Sequence, residues 1–225
     1  MTRSLVTAVL VIELLAAPRA ARANGEPPAA SALPTHFERF VLSGCLPCVK
    51  ESFPVKTIVI PPVKLPAFPR VPAGSQTRQG EIAFEVVRAW ELGRAARQSL
   101  AVQATLSVGA ASGGGFYRVG LGVLDADDVG ALADAVSGMA KAAAAPEPAG
   151  AEGVEIDFHG GSLRIGVIRI RGDAIAYVQA GQIPVLLFRP VWEVPNTVFL
   201  PVSELPVLTA AIVEVAARIR ALRGG

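Results

Sequence analysis

LGVLDADDVGALADAVSGMAKAA, Leu121 to Ala143, and VFLPVSELPVLTAAIVEVAARIRAL, Val198 to Leu222, decide the fold. Each begins as a strand end, passes an acidic helix start and continues as an amphipathic helix. At a constant offset of 76 they align: Leu124 with Leu200, Asp127 with Ser203, Asp128 with Glu204, Leu132 with Leu208, Val136 with Ile212 and Met139 with Val215. Asp127 and Ser203 are read as acceptors for the free N–H groups of the first helical turn, and Asp128 and Glu204 as negative charge at its positive end. The apolar residues that follow are spaced three and four apart, which gives each helix one buried stripe. The same offset pairs Val102-Gln103-Ala104 with Val178-Gln179-Ala180 upstream. Strand and helix matches at one offset predict a tandem repeat.

Several strand patterns precede each helix. In the first half they are EIAFEVVRAW (Glu81–Trp90), SLAVQATLSV (Ser99–Val108) and FYRVGLGVL (Phe116–Leu124), the last two joined by GAASGGG. In the second they are VEIDFHG, SLRIGVIRI, AIAYVQAG, PVLLF (Pro184–Phe188) and NTVFLP, with hairpin turns at His159-Gly160-Gly161 and Arg171-Gly172-Asp173. The expected class is α+β: two related halves, each an antiparallel sheet followed by one amphipathic helix, preceded by an extended N-terminal hairpin. The halves span residues 80–145 and 153–223, with a linker at 146–152.

The N-terminus reads as a secretory signal. Met1, Thr2 and Arg3 give a positive start, LVTAVLVI an apolar core, and Ala21-Arg22-Ala23 a cleavage site, so residues 1–23 are expected to be removed on export. The apolar core is too short for a membrane span, which needs about 20 residues, and Glu13 interrupts it. Residues 24–35 read as a flexible leader, and 36–79 as a disulfide-closed hairpin running into a proline-rich connector. Removing the signal takes away Arg3, Arg19, Arg22 and Glu13, so 21 basic and 19 acidic residues become 18 of each. A near-zero charge argues against nucleic acid, whose binding depends on cations that neutralise phosphates. With 52% hydrophobic residues the chain can bury a substantial core. The mature chain contains no further run of spanning length, and no membrane span is expected there.

Cys45 and Cys48 form a C-x-x-C pair in SGCLPC. In an oxidising compartment such a pair forms a disulfide, and zinc would need four ligands, with only His36 and His159 to add. The first reading is a structural disulfide closing a turn, with HFERFVLS (His36–Ser43) and VKESFPVKTIVI (Val49–Ile60) as strands on either side. The second is redox activity. FVLSGCLPCVKESFP resembles the active-site segment of thioredoxin-like proteins, and GQIPVLLF resembles the segment of that family that carries its cis-proline, here Pro184. The resemblance implies an attacking thiol at Cys45, a resolving thiol at Cys48, and cysteines that open a long helix. Phe53, Pro54 and prolines at 61, 62, 66, 69 and 72 argue against a helix there.

Other chemistry-bearing residues are weighed as structural. Asp157, His159, Ser162 and Arg164 crowd DFHGGSLRIG, but Ser162 has no nucleophile-elbow context, and a solvated hairpin is the simpler account. Asp125, Asp127 and Asp128 lack the spacing of a calcium loop. The glycines of GAASGGG lack the Lys-Ser/Thr of a phosphate loop. Trp90, Trp192, Phe116, Tyr117 and Tyr177 are read as packing aromatics. A run of strands followed by one helix, twice over, is similar in layout to single-stranded nucleic-acid binders of the Whirly and PC4 type, which implies a nucleic-acid sheet face; the neutral charge opposes it. The sequence therefore points to an exported, noncatalytic envelope or extracellular interaction protein, without cofactor or metal. Its partner would be a protein bound through strand edges or the proline-rich segment. Thiol-disulfide exchange through Cys45 and Cys48 is the alternative.

Overall fold

Alternation drives the strands. Along β2 (Gly80–Glu91) Ile82, Phe84 and Val86 point to the core while Glu81, Ala83 and Glu85 point away. In the computed structural model, which describes residues 35–45, 47–66, 75–109, 115–146, 153–170, 172–181 and 196–224, β2 lies between β1 (Cys48–Ile60) and β3 (Arg94–Gly109), and β4 (Phe116–Asp125) completes a four-stranded antiparallel sheet in the order β1-β2-β3-β4. A second antiparallel sheet runs β5-β6-β7-β8 over Val154–Gly160, Leu163–Ile170, Asp173–Ala180 and Thr197–Pro201. Each sheet is followed by a helix, α2 (Val129–Ala144) and α3 (Leu205–Arg223). The chain is therefore α+β with two related halves. The signal segment, residues 24–34 of the leader, the glycines at 113–114, linker residues 147–152, and 182–195 with Pro184, Trp192 and the expected PVLLF strand lie outside the described residues.

The two halves correspond closely in local structure. A 3₁₀ turn at Ala126–Asp128 leads into α2 at Val129, and a 3₁₀ turn at Val202–Glu204 leads into α3 at Leu205, so both boundaries repeat at the offset of 76. Leu132, Val136 and Met139 are buried, and so are Leu208, Ile212 and Val215. The capping roles expected of Asp127 and Ser203 are not realised. The 3₁₀ turns put helical dihedrals before the helices, with Asp128 at φ −88°, ψ −5° and Glu204 at φ −88°, ψ −7°, whereas a side-chain cap needs an extended N-cap residue. Neither α2 nor α3 has a side-chain cap. Asp127 instead pairs with Arg223 at the far end of α3.

Each helix lies on the sheet of the other half. α3 packs on β1 and β2, α2 packs on β5 and β6, and the two helices pack on each other. One apolar cluster consequently spans both halves, from Ile60 and Phe84 through Leu132 to Ile165 and Ile212. Burial of this kind is the dominant stabilising term, and truncating a fully buried leucine such as Leu132 to Ala costs about 2–5 kcal/mol. Polar contacts follow the same exchange. Arg169 of β6 donates to the carbonyls of Ala142 and Ala145 at the C-terminus of α2, and Lys56 of β1 meets Glu214 of α3 at 3.2 Å.

The N-terminal hairpin takes a different form from the one expected. β1 is its extended leg, but β1 pairs with β2, and HFERFVLS is helical: α1 (His36–Arg39) continues as a π turn over Phe40–Gly44. A capping box starts it, with Thr35 Oγ1 accepting from Glu38 N at 3.0 Å and Thr35 N donating to Glu38 Oε2 at 2.8 Å. Asp125, at the end of β4, accepts from His36 N at 2.7 Å and Phe37 N at 2.9 Å. Phe37, Phe40 and Val41 follow helical spacing and cover Val87, Ala89 and Ala101 on the outer face of the first sheet. Over eight residues that spacing and strand alternation are hard to tell apart.

The exchanged helices predict that neither half folds alone. A chain ending at Pro146 and one starting at Gly153 should each lack cooperative thermal unfolding, while their co-expression restores a single transition by circular dichroism. Independent folding of either piece would contradict the shared core.

Candidate functional site

Cys45 and Cys48 are bridged, with Cα atoms 4.9 Å apart. Cys45 is buried at the end of the π turn and Cys48 is the first residue of β1. The bridge thus joins the helical N-terminal cover to the sheet it covers. A thioredoxin-like site needs its cysteines at a helix N-terminus, where the dipole lowers the thiol pKa. Here a strand of 13 residues begins at Cys48, so the placement that the resemblance implied is not met. A loop this short removes little chain entropy when closed, and the bridge's stabilising effect is correspondingly small.

The richest polar cluster lies on the outer face of the second sheet. Strand alternation puts Glu155, Asp157 and His159 of β5 on one face, and register brings Arg164 of β6 opposite His159 and Gly166 opposite both Asp157 and Tyr177 of β7. Tyr177 is fully buried, and its hydroxyl donates to Glu155 Oε1 at 2.6 Å. The guanidinium of Arg164 spans both carboxylates, Nε to Asp157 Oδ2 at 2.6 Å and Nη2 to Glu155 Oε1 at 2.9 Å, and stacks 5.5 Å from the centre of the Tyr177 ring. Gly166 makes room: a Cβ there would lie 2.5 Å from the Tyr177 hydroxyl oxygen. Val63 and Leu65, after β1, pack beside Tyr177 against Ile168 and Ile175.

Electrostatics in this cluster follow from burial. Desolvation, with the negative charge of Glu155 next, pushes the Tyr177 phenol well above its usual value of 10.0. His159 is held below 6.5, first by desolvation and then by Arg164, with Asp157 opposing both at 3.7 Å. Each member has a partner inside the cluster, so it works as an internal brace, with the phenol neutral and the guanidinium paired. Asp157, His159 and Arg164 are thus brought together as the sequence suggested, whereas Glu155 and Tyr177 were not foreseen as part of the set. The signal for them was the Gly166–Tyr177 facing pair, which only the strand register reveals.

Ser162 is not in that cluster. Its Oγ accepts from Val123 N at 2.8 Å and its N–H donates to Val123 O at 3.0 Å, so the β5–β6 turn docks on the edge of β4. Gly161 at φ +55° permits the approach, since a Cβ there would overlap the Val123 carbonyl. Asp125 is engaged at α1, and Trp90 stacks with Arg88, whose guanidinium lies 5.1 Å from its ring centre and 5.6 Å from that of Phe53. Among the described residues, no group of three or more His, Cys, Asp or Glu is placed to hold a metal ion, and no helix is long and apolar enough to cross a membrane.

Two of the aromatics expected to pack do not. Phe116 and Tyr117, at the start of β4, are 43% and 47% exposed, and Leu121 further along is also exposed. Among the described residues β4 pairs with β3; Val123, near its C-terminal end, bonds to Ser162, and Gly120 lies against Ala180 and Asn196. The edge strand β1 differs. Pro54, the register shift between Pro54 and Lys56, and exposed Lys50 and Lys56 all discourage strand addition there. The proline-rich segment is partly docked as well, through Val63, Leu65 and the bridge between Lys64 and Gln76. No protein family model matches the chain, and no curated protein sequence does.

Tyr177 should resist alkaline ionisation: difference absorbance at 295 nm of the folded protein lacks its contribution at pH 10, and Tyr177→Phe leaves the folded titration in that range unchanged. The substitution removes one hydrogen bond to a half-exposed carboxylate and costs about 1–2 kcal/mol. His159, whose pKa is lowered on folding, contributes stability that is complete above 6.5 and is lost as pH falls through its folded value. Urea midpoints should therefore drop less steeply on acidification in His159→Gln than in the parent; equal slopes would refute the assignment.

Proposed function

We propose that this chain is an exported, noncatalytic interaction protein that engages a protein partner along the open half of β4. The observation that carries this reading is the exposure of Phe116, Tyr117 and Leu121 on an edge strand of a protein with only 6% aromatic residues. Exposed apolar groups on a strand that ends its sheet among the described residues suit an added strand, with main-chain bonds giving affinity and side chains giving choice. The edge strand β1 is less suited to it, with Pro54 and exposed lysines along it. The clustered polar residues support a noncatalytic role, since Ser162, Asp125, Arg164 and Tyr177 each make contacts the fold uses.

Export is supported by the pattern of residues 1–23 and by the Cys45–Cys48 bridge, which suits an oxidising compartment. A periplasmic or extracellular site follows from that reading. The common offset of strand cores and helix starts favours internal duplication as the origin of the two halves. For nucleic acid, the layout shared with Whirly and PC4 proteins is offset by chemistry: Glu81 and Glu85 sit on the outer face of the first sheet. For thiol-disulfide exchange, burial of Cys45 and the strand that follows weigh against an accessible attacking thiol.

Mass spectrometry of the cellular protein should find a mature N-terminus at Asn24 and no free thiol. A photo-crosslinking residue at Phe116 should trap one recurrent partner in the envelope or medium, and Leu121→Lys should abolish the adduct without changing the circular dichroism spectrum. Retention of the adduct in Leu121→Lys would remove β4 from the interface, and an intact cytosolic chain starting at Met1 would end the export reading. The Cys45→Ser, Cys48→Ser double variant should keep the adduct; its loss, together with reduction of a disulfide substrate by the parent, would favour redox chemistry.

A further inference from the structure

The first and second sheets meet at a cleft between the start of β2 and the edge strand β8. It has a volume of 160 Å³ and is lined by Thr77, Arg78 and Gly80 on one side and Thr197, Val198 and Phe199 on the other, with Val108 of β3 at its back. Val108, Val198 and Phe199 make the walls mainly apolar. That volume matches a benzene-sized body, with one side of the cleft open to solvent.

Charge at the mouth sets the head group. The Arg78 guanidinium is exposed and donates from Nη1 to the Tyr117 hydroxyl at 3.1 Å, and no carboxylate pairs with it among the described residues. Several other arginines are ion-paired: Arg88 with Glu51, Arg97 with Glu91, Arg164 with Glu155 and Asp157, and Arg223 with Asp127. A guanidinium held by a phenol keeps its charge and most of its donors for another acceptor.

We infer that the cleft binds a small carboxylate with a compact apolar body, its ring or branched chain between Val108, Val198 and Phe199 and its carboxylate on Arg78. The Arg78–Tyr117 bond positions the guanidinium at the mouth, where a planar fork meets a carboxylate in two parallel hydrogen bonds. The apolar body displaces water from walls that cannot hydrogen-bond to it, and the exposed head group loses little hydration. The site shares Tyr117 with the strip proposed as a protein interface, whose test turns on Phe116 and Leu121.

Benzoate is the probe, with benzyl alcohol as its neutral counterpart of similar size, titrated into the full oxidised mature chain and followed by methyl NMR. Benzoate should shift the Val108 and Val198 methyl resonances with saturation in the millimolar range. Arg78→Gln should weaken benzoate about tenfold, as loss of one charge-assisted contact does, and leave benzyl alcohol unchanged. Val108→Phe, which fills the back of the cleft, should remove both while the circular dichroism spectrum stays that of the parent. Equal benzoate affinity in Arg78→Gln, or shifts scattered away from these methyls, would overturn the assignment. So would the absence of saturable shifts with both probes. Leu121→Lys should bind benzoate like the parent, so loss of the partner and loss of this site read out separately.

Discussion

The exchange of helices between halves is the contact on which the rest depends. α2 leaves the first sheet to cover β5 and β6, α3 returns to cover β1 and β2, and their mutual packing seals a core neither sheet could close alone. An antiparallel sheet of four strands has one face to bury, and a single amphipathic stripe must lie across it. Because the stripe comes from the other half, every core position couples the two sheets. Leu132 and Leu208 occupy equivalent places yet serve opposite sheets. The ion pair of Asp127 with Arg223 and the capping of α2 by Arg169 tie helix ends across the same divide.

Exchange also fixes how the sheets approach. With both helices on the inner side, the β5–β6 turn reaches the edge of β4, and there a left-handed Gly161 and the hydroxyl of Ser162 replace a strand partner for Val123. That contact uses the edge of β4 near its C-terminal end. Its N-terminal end carries the exposed side chains of Phe116 and Tyr117, and further along Gly120 lies against Ala180 and Asn196 of the second half. Asp125, the last residue of the same strand, holds α1 on the outer face. One strand therefore carries the inter-sheet dock, the cap of the N-terminal helix and the exposed apolar strip.

The two sheet-plus-helix units were legible because periodicity reports them directly: alternation from Glu81 to Trp90 and three-four spacing from Val129 to Met139 need no tertiary information. The offset of 76 was legible for the same reason, and it recurs at both helix starts, Val129 and Leu205. What failed was local. A stretch of eight residues cannot separate a helix from a strand by period, and the Thr35–Glu38 box that settles the matter lay across the expected border between leader and hairpin. The caps failed because a 3₁₀ turn preceded each helix. The cluster at Tyr177 was half legible: DFHGGSLRIG showed three of its members, but Glu155 and Tyr177 join only through register, which sequence does not state. Arg78 carried no pattern at all, since its significance comes from its place at the mouth of the cleft.

Polar chemistry in this protein is concentrated where backbone or charge would otherwise be stranded. The carboxylates at 155 and 157 hold Arg164 over a buried phenol, Ser162 completes the edge of β4, and the disulfide fastens the N-terminal cover. Each of these groups is held at a fixed distance by partners within the fold. Side chains with capacity to spare lie elsewhere, at Arg78 above an apolar cleft and along Phe116 to Leu121. On the proposed reading, selectivity would come from which acceptor fits Arg78 and which apolar body fits the cleft beside it.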